Sequence, residues 1–229
     1  MKRIGLIGGM SWESSALYYR LINELVRERL GGLHSANCVM GSVDFADIER
    51  MQVAGEWDEA GRVLAAEARA LEAADVDVIV LCTNTMHKVA GHIEDAISVP
   101  FLHLVDVTAD AIRHARLSKV ALLGTRFTME ESFYRDRMSA HGVETIVPDA
   151  TGRTTIDRVI YEELVRGVVR EESRDEYRRV IAQLVAAGAG GVILGCTEIE
   201  LLIGDDDASV PVFASTSLHV RAAVEFALA

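Results

Sequence analysis

The sequence predicts an α/β protein of two pseudo-symmetric lobes, each a four-stranded parallel sheet flanked by helices, with its active site in the cleft between them. Strands alternate with helical patterns along the whole chain, which favours parallel sheets. A buried strand pattern ending in polar or sulfur-bearing residues also occurs twice, at 78–85 and 191–198. The two copies place Thr83 and Cys196 at equivalent strand ends, where open α/β sheets carry their chemistry.

Two further landmarks recur in the same order and at almost the same spacing. The segment 4–9 resembles 120–125, and Ser98-Val99-Pro100 resembles Ser209-Val210-Pro211. We interpret the ordered repeat as an internal duplication, although α/β strands resemble one another in general. The N-terminal lobe is then expected to comprise residues 1–98 plus about 210–229, and the C-terminal lobe residues 99–209.

In the first half of the chain, short apolar and β-branched runs predict strands near residues 3–8, 37–43, 77–82 and 99–104. Helical patterns between them predict helices near residues 13–30, 57–74 and 86–96. In the first of these helices, Leu17, Leu21 and Leu25 recur at i+4 spacing, and Gly31-Gly32 marks the helix exit.

The second half repeats this scheme. Strands are predicted near residues 119–124, 143–147, 190–195 and 210–214, and helices near 129–141, 155–170 and 174–188. The segment 106–117 predicts a helix that connects the halves, and 216–228 predicts a closing helix. The acidic run 205–207 is interpreted as a solvated turn without function.

Composition excludes several functional classes. Of 229 residues, 50% are hydrophobic and 25% charged, the balance of an ordinary globular protein, and the net charge of −12 argues against binding to nucleic acid or an anionic membrane. Three cysteines without a Cys-x-x-Cys pair predict reduced thiols. Because Gly8-Gly9 interrupts the first apolar stretch, we expect no secretion signal and a cytoplasmic protein.

Common cofactor motifs are missing from the sequence. Only three lysines occur, so a pyridoxal Schiff base has few candidates, and Gly-x-Gly-x-x-Gly, Gly-Lys-Ser/Thr and Gly-x-Ser-x-Gly motifs are absent. His87 and His92 are five residues apart, a spacing unsuited to a shared metal on one helix face. We therefore expect neither a cofactor nor a metal.

The paired strand ends indicate a reaction that needs two proton carriers. If the lobes face one another, Thr83 and Cys196 approach a small substrate from opposite sides. A racemase removes a hydrogen from one face of a carbon and returns one to the other face, so it requires such a pair.

Three motifs carry a family resemblance over the whole chain, namely Gly8-Gly9-Met10, Thr83-Asn84-Thr85-Met86-His87 and Gly195-Cys196-Thr197-Glu198. In this order they resemble the Gly-Gly-Met, Cys-Asn-Thr-x-His and Gly-Cys-Thr-Glu segments of the cofactor-independent aspartate/glutamate racemases. The resemblance implies two α/β lobes, paired acid/base residues in a cleft, an amino-acid substrate and a homodimer.

One position departs from the family pattern, because Thr83 stands where the family has its first catalytic Cys. Cys82 is one residue out of register and is expected to point away as a core residue. The pKa of an aliphatic hydroxyl lies about seven units above that of a thiol, roughly 10 kcal/mol, so Thr83 is a poor base. We expect Cys196 to abstract the proton, and the resemblance then implies an L-selective enzyme.

Substrate contacts are expected from strand ends where helices begin, because backbone N–H groups there bind carboxylates. The candidates are Gly9, Met10, Ser11, Asn84, Thr85, Thr125, Thr197 and Glu198. Helix capping is an alternative role for each hydroxyl and amide. By resemblance, Gln52 lies in a loop where related enzymes use Arg for the side-chain carboxylate, which puts strict aspartate preference in doubt.

Several roles stay open at this point. Glu198 either orients a partner, contacts the substrate amine, or is only a first-turn helix acid. His87 is either structural or catalytic, and Arg166 is interpreted as solvated. Alternative activities are those of hydantoin racemases, maleate isomerases and arylmalonate decarboxylases, or a catalytically silent carboxylate-binding protein.

Overall fold

The computed structural model describes every residue from Met1 to Ala229. The chain divides into two compact units: the first contains Met1–Leu104 and His219–Ala229, and the second contains Val105–Leu218. The strands are β1 (Ile4–Gly8), β2 (Cys38–Ser42), β3 (Val78–Leu81), β4 (Phe101–Leu102), β5 (Lys119–Gly124), β6 (Glu144–Ile146), β7 (Val192–Gly195) and β8 (Val212–Ala214).

Ten α-helices connect these strands. They are α1 (Trp12–Leu30), α2 (Phe45–Ala54), α3 (Trp57–Glu72), α4 (Ala90–Glu94), α5 (Leu104–His114), α6 (Arg126–Glu130), α7 (Ser132–Ala140), α8 (Ala150–Glu162), α9 (Glu171–Ala186) and α10 (Ser215–Leu228). Short 3-10 helices occupy Thr85–Val89, Leu164–Arg166, Thr197–Leu201 and Asp205–Asp207. No helix is both long enough and apolar enough to cross a membrane.

Both sheets are parallel and have the same strand order, β2-β1-β3-β4 in the first and β6-β5-β7-β8 in the second. Each strand of the first sheet thus has a counterpart at the same place in the second. The predicted fold class of two four-stranded parallel sheets flanked by helices is confirmed, and the shared order supports the internal duplication read from the sequence.

The first sheet is buried on both faces, as expected for parallel strands between helices. On one face, Ile7, Ile79 and Leu81 pack with Leu64 of α3 in a common apolar core. On the other, alternate strand residues such as Val80 pack with side chains of α1 and α10. Burying one such aliphatic side chain stabilises the fold by about 1.5–3 kcal/mol.

Cys82 belongs to the α1 and α10 side of this core and is fully buried. Burial raises the pKa of its thiol, and the nearby Cys38 adds to the effect. The expectation that Cys82 is a core residue is therefore confirmed.

In the second unit, the central strands β5 and β7 pack against α8 and α9. Leu123 and Leu194 share an apolar core with Ile156, Tyr177 and Cys196. The strand end that carries Cys196 is thus anchored in the main core of its unit.

The unit boundaries differ from the limits expected for the lobes, which lay near residues 98 and 209, and two short strands explain why. Phe101–Leu102 pairs with β3 and so belongs to the first sheet. Val212–Ala214 pairs with β7 and so belongs to the second. Because of this pairing, the first unit extends to Leu104 and the second to Leu218, several residues beyond the expected limits.

Candidate functional site

The glycine turn after β1 leads from the first strand into α1. Gly9 has φ +95°, and a Cβ there would lie 2.2 Å from the Val43 carbonyl oxygen, so only glycine fits. The Gly9 N–H donates to Ser15 Oγ at 2.8 Å, and that hydroxyl donates to the Ser11 carbonyl at 2.8 Å. The Gly9 N–H is therefore engaged within the turn.

Ser11 and Met10 complete this turn. The Ser11 hydroxyl accepts the Ser14 N–H at 3.2 Å and caps α1, which is the capping role considered from the sequence. Met10 is buried in the core that also contains Ile7. The sequence did not single out Ser15, whose hydroxyl joins Gly9 to Ser11.

Thr83 lies at the end of β3, beside the end of β1, because Ile7 and Leu81 are paired in the sheet. Its side chain is nearly buried, with 8% of the residue exposed, and Asn84 beside it is also buried. The Thr83 N–H bonds to the Leu81 carbonyl at 2.9 Å, which turns the chain sharply before the 3-10 helix Thr85–Val89 begins.

Gln52 lies in helix α2 and not in a loop, so that part of the expectation is wrong. Asp44 caps this helix by accepting the Ala46 N–H at 3.0 Å. The buried Gln52 amide donates to Met86 Sδ at 2.9 Å. The contact joins α2 to the segment that follows Thr83, so a neutral amide lies in the neighbourhood of the predicted site.

In the second unit, Thr125 and Cys196 follow directly on two paired glycines, Gly124 and Gly195. A Cβ on Gly195 would lie 2.9 Å from Leu122 Cδ1 and 3.0 Å from the Leu123 carbonyl oxygen. The glycines thus let the backbones of β5 and β7 approach closely where both strands end.

Thr125 acts as the N-cap of α6. Its hydroxyl accepts the Thr128 N–H at 3.4 Å and lies 3.2 Å from the Thr128 hydroxyl. The next backbone N–H, that of Arg126, donates to Asp157 Oδ1 at 2.7 Å. The first backbone N–H of α6 is therefore also engaged within the protein.

Cys196 has 8% of its surface exposed, and its Sγ donates a hydrogen bond to Glu198 Oε2 at 3.0 Å. Burial raises the pKa of the Cys196 thiol well above its ordinary range, and the Glu198 carboxylate raises it further. The backbone N–H groups of Glu198 and Ile199 act in the opposite direction. At neutral pH the side chain is therefore a thiol, and the Glu198 carboxylate in contact with it is a proton acceptor.

Residues after β8 support the Cys196 turn from within the same unit. Thr216 donates from its hydroxyl to Thr197 Oγ1 at 3.3 Å, and from its N–H to Glu200 Oε1 at 3.1 Å. Ser215 donates to the Leu194 carbonyl at 2.7 Å. Burial raises the pKa of Glu200. Sequence analysis missed this network because its members are about twenty residues apart and carry no local motif.

The structure therefore places the predicted residues after the ends of two paired strands in each unit, β1 and β3 in the first and β5 and β7 in the second, except for Gln52, which lies in α2. Gly9, Met10, Ser11, Gln52, Thr83, Asn84 and Thr85 belong to the first unit, and Thr125, Cys196, Thr197 and Glu198 belong to the second. No group of three or more His, Cys, Asp or Glu side chains is arranged to hold a metal ion.

Comparison with known proteins identifies the family. The sequence profile described as Asp/Glu/Hydantoin racemase matches residues 7–223. The fold is similar to that of a candidate Asp/Glu racemase from Yersinia pestis, with 53% identity and a TM-score of 0.95 over 100% of both chains. An aspartate racemase homologue from Pyrococcus horikoshii OT3 has 33% identity and a TM-score of 0.90, again over 100% of both chains.

A curated relative comes from Bacillus subtilis (strain 168). The broad specificity amino-acid racemase RacX is 25% identical over 178 residues, which cover 76% of this chain and 75% of the relative. The match to the family profile spans both strand ends described above. The chain belongs to the Asp/Glu/hydantoin racemase family.

Proposed function

We propose that the protein is a cofactor-independent racemase of aspartate or glutamate, selective for the L-enantiomer, in which Cys196 removes the α-proton and Thr83 returns one to the opposite face. The hydrogen bond from Cys196 Sγ to Glu198 Oε2 carries this proposal. It gives the thiol an acceptor for its proton, without which the buried sulfur is a poor base.

The first step is formation of the thiolate. Glu198 accepts the Sγ proton, and the backbone N–H groups of Glu198 and Ile199 stabilise the negative sulfur that results. The thiolate then takes the α-hydrogen of the L-amino acid, leaving a carbanion stabilised by its carboxylate. Glu198 is thus assigned the role of activating Cys196.

The second step is return of a proton on the other face. The Thr83 hydroxyl donates its proton to the carbanion and regains one from water, directly or through a bound water. The hydroxide left behind is neutralised by the proton that Glu198 releases, which returns both residues to their starting states. Because deprotonating a hydroxyl costs roughly 10 kcal/mol more than deprotonating a thiol, the alkoxide that Thr83 would need to abstract a proton from a D-amino acid is far scarcer than the Cys196 thiolate, and that reverse abstraction is much slower. This asymmetry supports L-selectivity.

The substrate class rests on hydrogen-bond donors around the two strand ends. The Asn84 amide and the hydroxyls of Thr85 and Thr197 are the groups we assign to the carboxylates, and Gln52 offers a neutral amide for the side-chain group. Among the relatives, one is described as an aspartate racemase homologue and one as a broad specificity amino-acid racemase. We expect acidic substrates, with amides such as asparagine accepted more slowly.

The test is deuterium exchange followed by NMR. The protein is incubated in D₂O with L- and D-forms of aspartate, glutamate, asparagine and alanine, and loss of the α-hydrogen and formation of the opposite enantiomer are measured. We expect L-aspartate or L-glutamate to exchange fastest. Equal exchange rates for the two enantiomers would contradict the assignment of Cys196 and Thr83.

Two cysteines provide a matched pair of variants. Cys196→Ala is expected to abolish exchange, whereas Cys82→Ala, which changes a buried core thiol of the first unit, should retain it. If the Cys196→Ala variant exchanged as fast as the parent, the base would be another group. A Thr83→Cys variant is expected to gain D-side exchange.

A second candidate function is carboxylate binding without turnover, supported by the Thr in place of a second Cys and by the raised pKa of Cys196. Thermal stabilisation by aspartate or glutamate with no loss of the α-hydrogen would establish it. The resemblance also supports a homodimer, and light scattering tests the oligomeric state.

A further inference from the structure

We propose that His87 is a positioning residue that holds Thr83 in place for proton return. The His87 ring lies between two backbone groups: Nδ1 is 2.7 Å from the Thr83 carbonyl oxygen, and Nε2 is 3.2 Å from the Leu104 nitrogen. This inference rests on the proposed function, because it concerns Thr83, the residue assigned to return a proton on the face opposite Cys196.

The two contacts define the tautomer of the ring. The Leu104 N–H is a donor, so His87 Nε2 accepts with its lone pair. The Thr83 carbonyl is an acceptor, so Nδ1 carries the proton and donates. Because both ring nitrogens of this buried side chain are engaged by the backbone, His87 acts through Thr83 and not on the substrate itself.

The local backbone geometry explains why a side chain is used here. In the 3-10 helix Thr85–Val89, the His87 N–H bonds to the Asn84 carbonyl at 3.1 Å. The α-helical bond from His87 N–H to the Thr83 carbonyl is therefore not made, and the ring donates to that carbonyl instead. The ring thereby restrains the peptide that sets the direction of the Thr83 side chain.

The other end of this restraint is itself held firmly. Leu104 is the last residue of the first unit before the chain enters the second. Two residues earlier, the Leu102 carbonyl accepts a hydrogen bond from His219 Nε2 at 2.8 Å, and His219 Nδ1 accepts from the Tyr18 hydroxyl at 3.0 Å. The segment 102–104, to which His87 is hydrogen-bonded, is thus also held by a second buried histidine, His219.

The test uses variants that each retain one of the two bonds. His87→Asn places an amide N–H near the Nδ1 position and retains the bond to Thr83. His87→Gln places an amide oxygen near the Nε2 position and retains only the bond from Leu104. His92→Asn, which changes a partly exposed histidine in α4, is the control.

The readout is a ratio measured with L-aspartate or L-glutamate in D₂O: D-enantiomer formed, divided by deuterium incorporated into the remaining L-enantiomer. The first quantity requires proton return from the Thr83 side, and the second requires Cys196 alone. Since one population of active enzyme forms both products, partial misfolding does not alter the ratio.

We expect the ratio to fall about tenfold or more in His87→Gln, because small misplacements of a proton donor cost one to two orders of magnitude in rate. In His87→Asn and His92→Asn we expect it to stay within about twofold of the parent. An unchanged ratio in His87→Gln, or a parallel loss of both products in that variant, would overturn the role of His87. A wild-type protein that exchanges no substrate would instead refute the proposed function.

Discussion

The turn at residues 205–207 provides a direct test of how tertiary contacts stabilise the second unit. The run 205–207 was expected to be a solvated turn, and for Asp207 this was wrong, because its side chain is only 6% exposed. Asp207 Oδ1 accepts from Arg178 at 2.8 Å, and Oδ2 accepts from Arg174 at 3.1 Å and from the Gly204 N–H at 2.8 Å. Arg174 also donates to the Leu202 carbonyl. The carboxylate thus ties this turn to helix α9.

We expect the Asp207→Asn variant to lose about 2–3 kcal/mol of unfolding free energy. Breaking a fully buried ion pair costs about 3–5 kcal/mol, and the value is reduced here because Arg174 and Arg178 are 23% and 41% exposed. For a chain of this length the melting temperature should fall by about 4–12 °C. The Asp206→Asn variant changes the exposed neighbouring carboxylate, and its melting temperature should differ from that of wild type by less than about 2 °C.

The effect of Asp207 should depend on pH. Burial raises the pKa of its carboxyl, but the Gly204 N–H and the two arginines outweigh burial and hold the pKa below its ordinary range. A carboxyl whose pKa is lower in the folded state stabilises the fold above its unfolded pKa of about 3.9, and the contribution is lost as pH falls through the folded value. The difference between wild type and Asp207→Asn should therefore narrow below about pH 4 in thermal melts. Equal melting temperatures for Asp207→Asn and Asp206→Asn at pH 7 would refute the reasoning.

Three further predictions concern the site and its frame. Burial lowers the pKa of His219 from 6.5 to about 4, so the unfolded chain takes up a proton first as the pH falls. In urea unfolding, wild type should therefore lose about 3 kcal/mol of unfolding free energy between pH 6.5 and pH 4 relative to His219→Gln. Parallel pH profiles of stability for the two proteins would contradict this. Glu198→Gln removes the charge that raises the Cys196 pKa, so iodoacetamide should label Cys196 about tenfold faster by peptide mapping; slower labelling would contradict this electrostatic effect. Racemisation should nevertheless slow, because the variant has no carboxylate to accept the Sγ proton; unchanged racemisation would exclude the activating role of Glu198. Gly9→Ala should lower the free energy of unfolding by more than about 3 kcal/mol because the added Cβ clashes with Val43. Gly32→Ala, whose added Cβ meets nothing within 4 Å, should lower it by only about 1 kcal/mol because of the positive φ. Similar melting temperatures for the two variants would argue against this.

Much of the fold could be predicted because it is encoded locally. The strand predicted near residues 119–124 matches Lys119–Gly124, and the helix predicted near 13–30 matches Trp12–Leu30. Buried parallel strands require apolar runs, and amphipathic helices require a periodic apolar face, so both features are readable residue by residue. Helix α2 escaped detection because it is short and its cap, Asp44, precedes a weak apolar pattern. The helix predicted near 86–96 is divided into a 3-10 helix and α4.

The sequence by itself determined the duplicated α/β plan and the two strand ends that present Thr83 and Cys196, since both follow from short-range patterns and their repetition. Only the tertiary structure decided which polar groups are occupied: Ser15 takes the Gly9 N–H, Asp157 takes the Arg126 N–H, and the Thr83 carbonyl receives the His87 ring. Hydrogen-bond partners depend on distances of about 3 Å between atoms whose positions are set by packing of the whole unit. Residue types and spacing alone do not contain those distances.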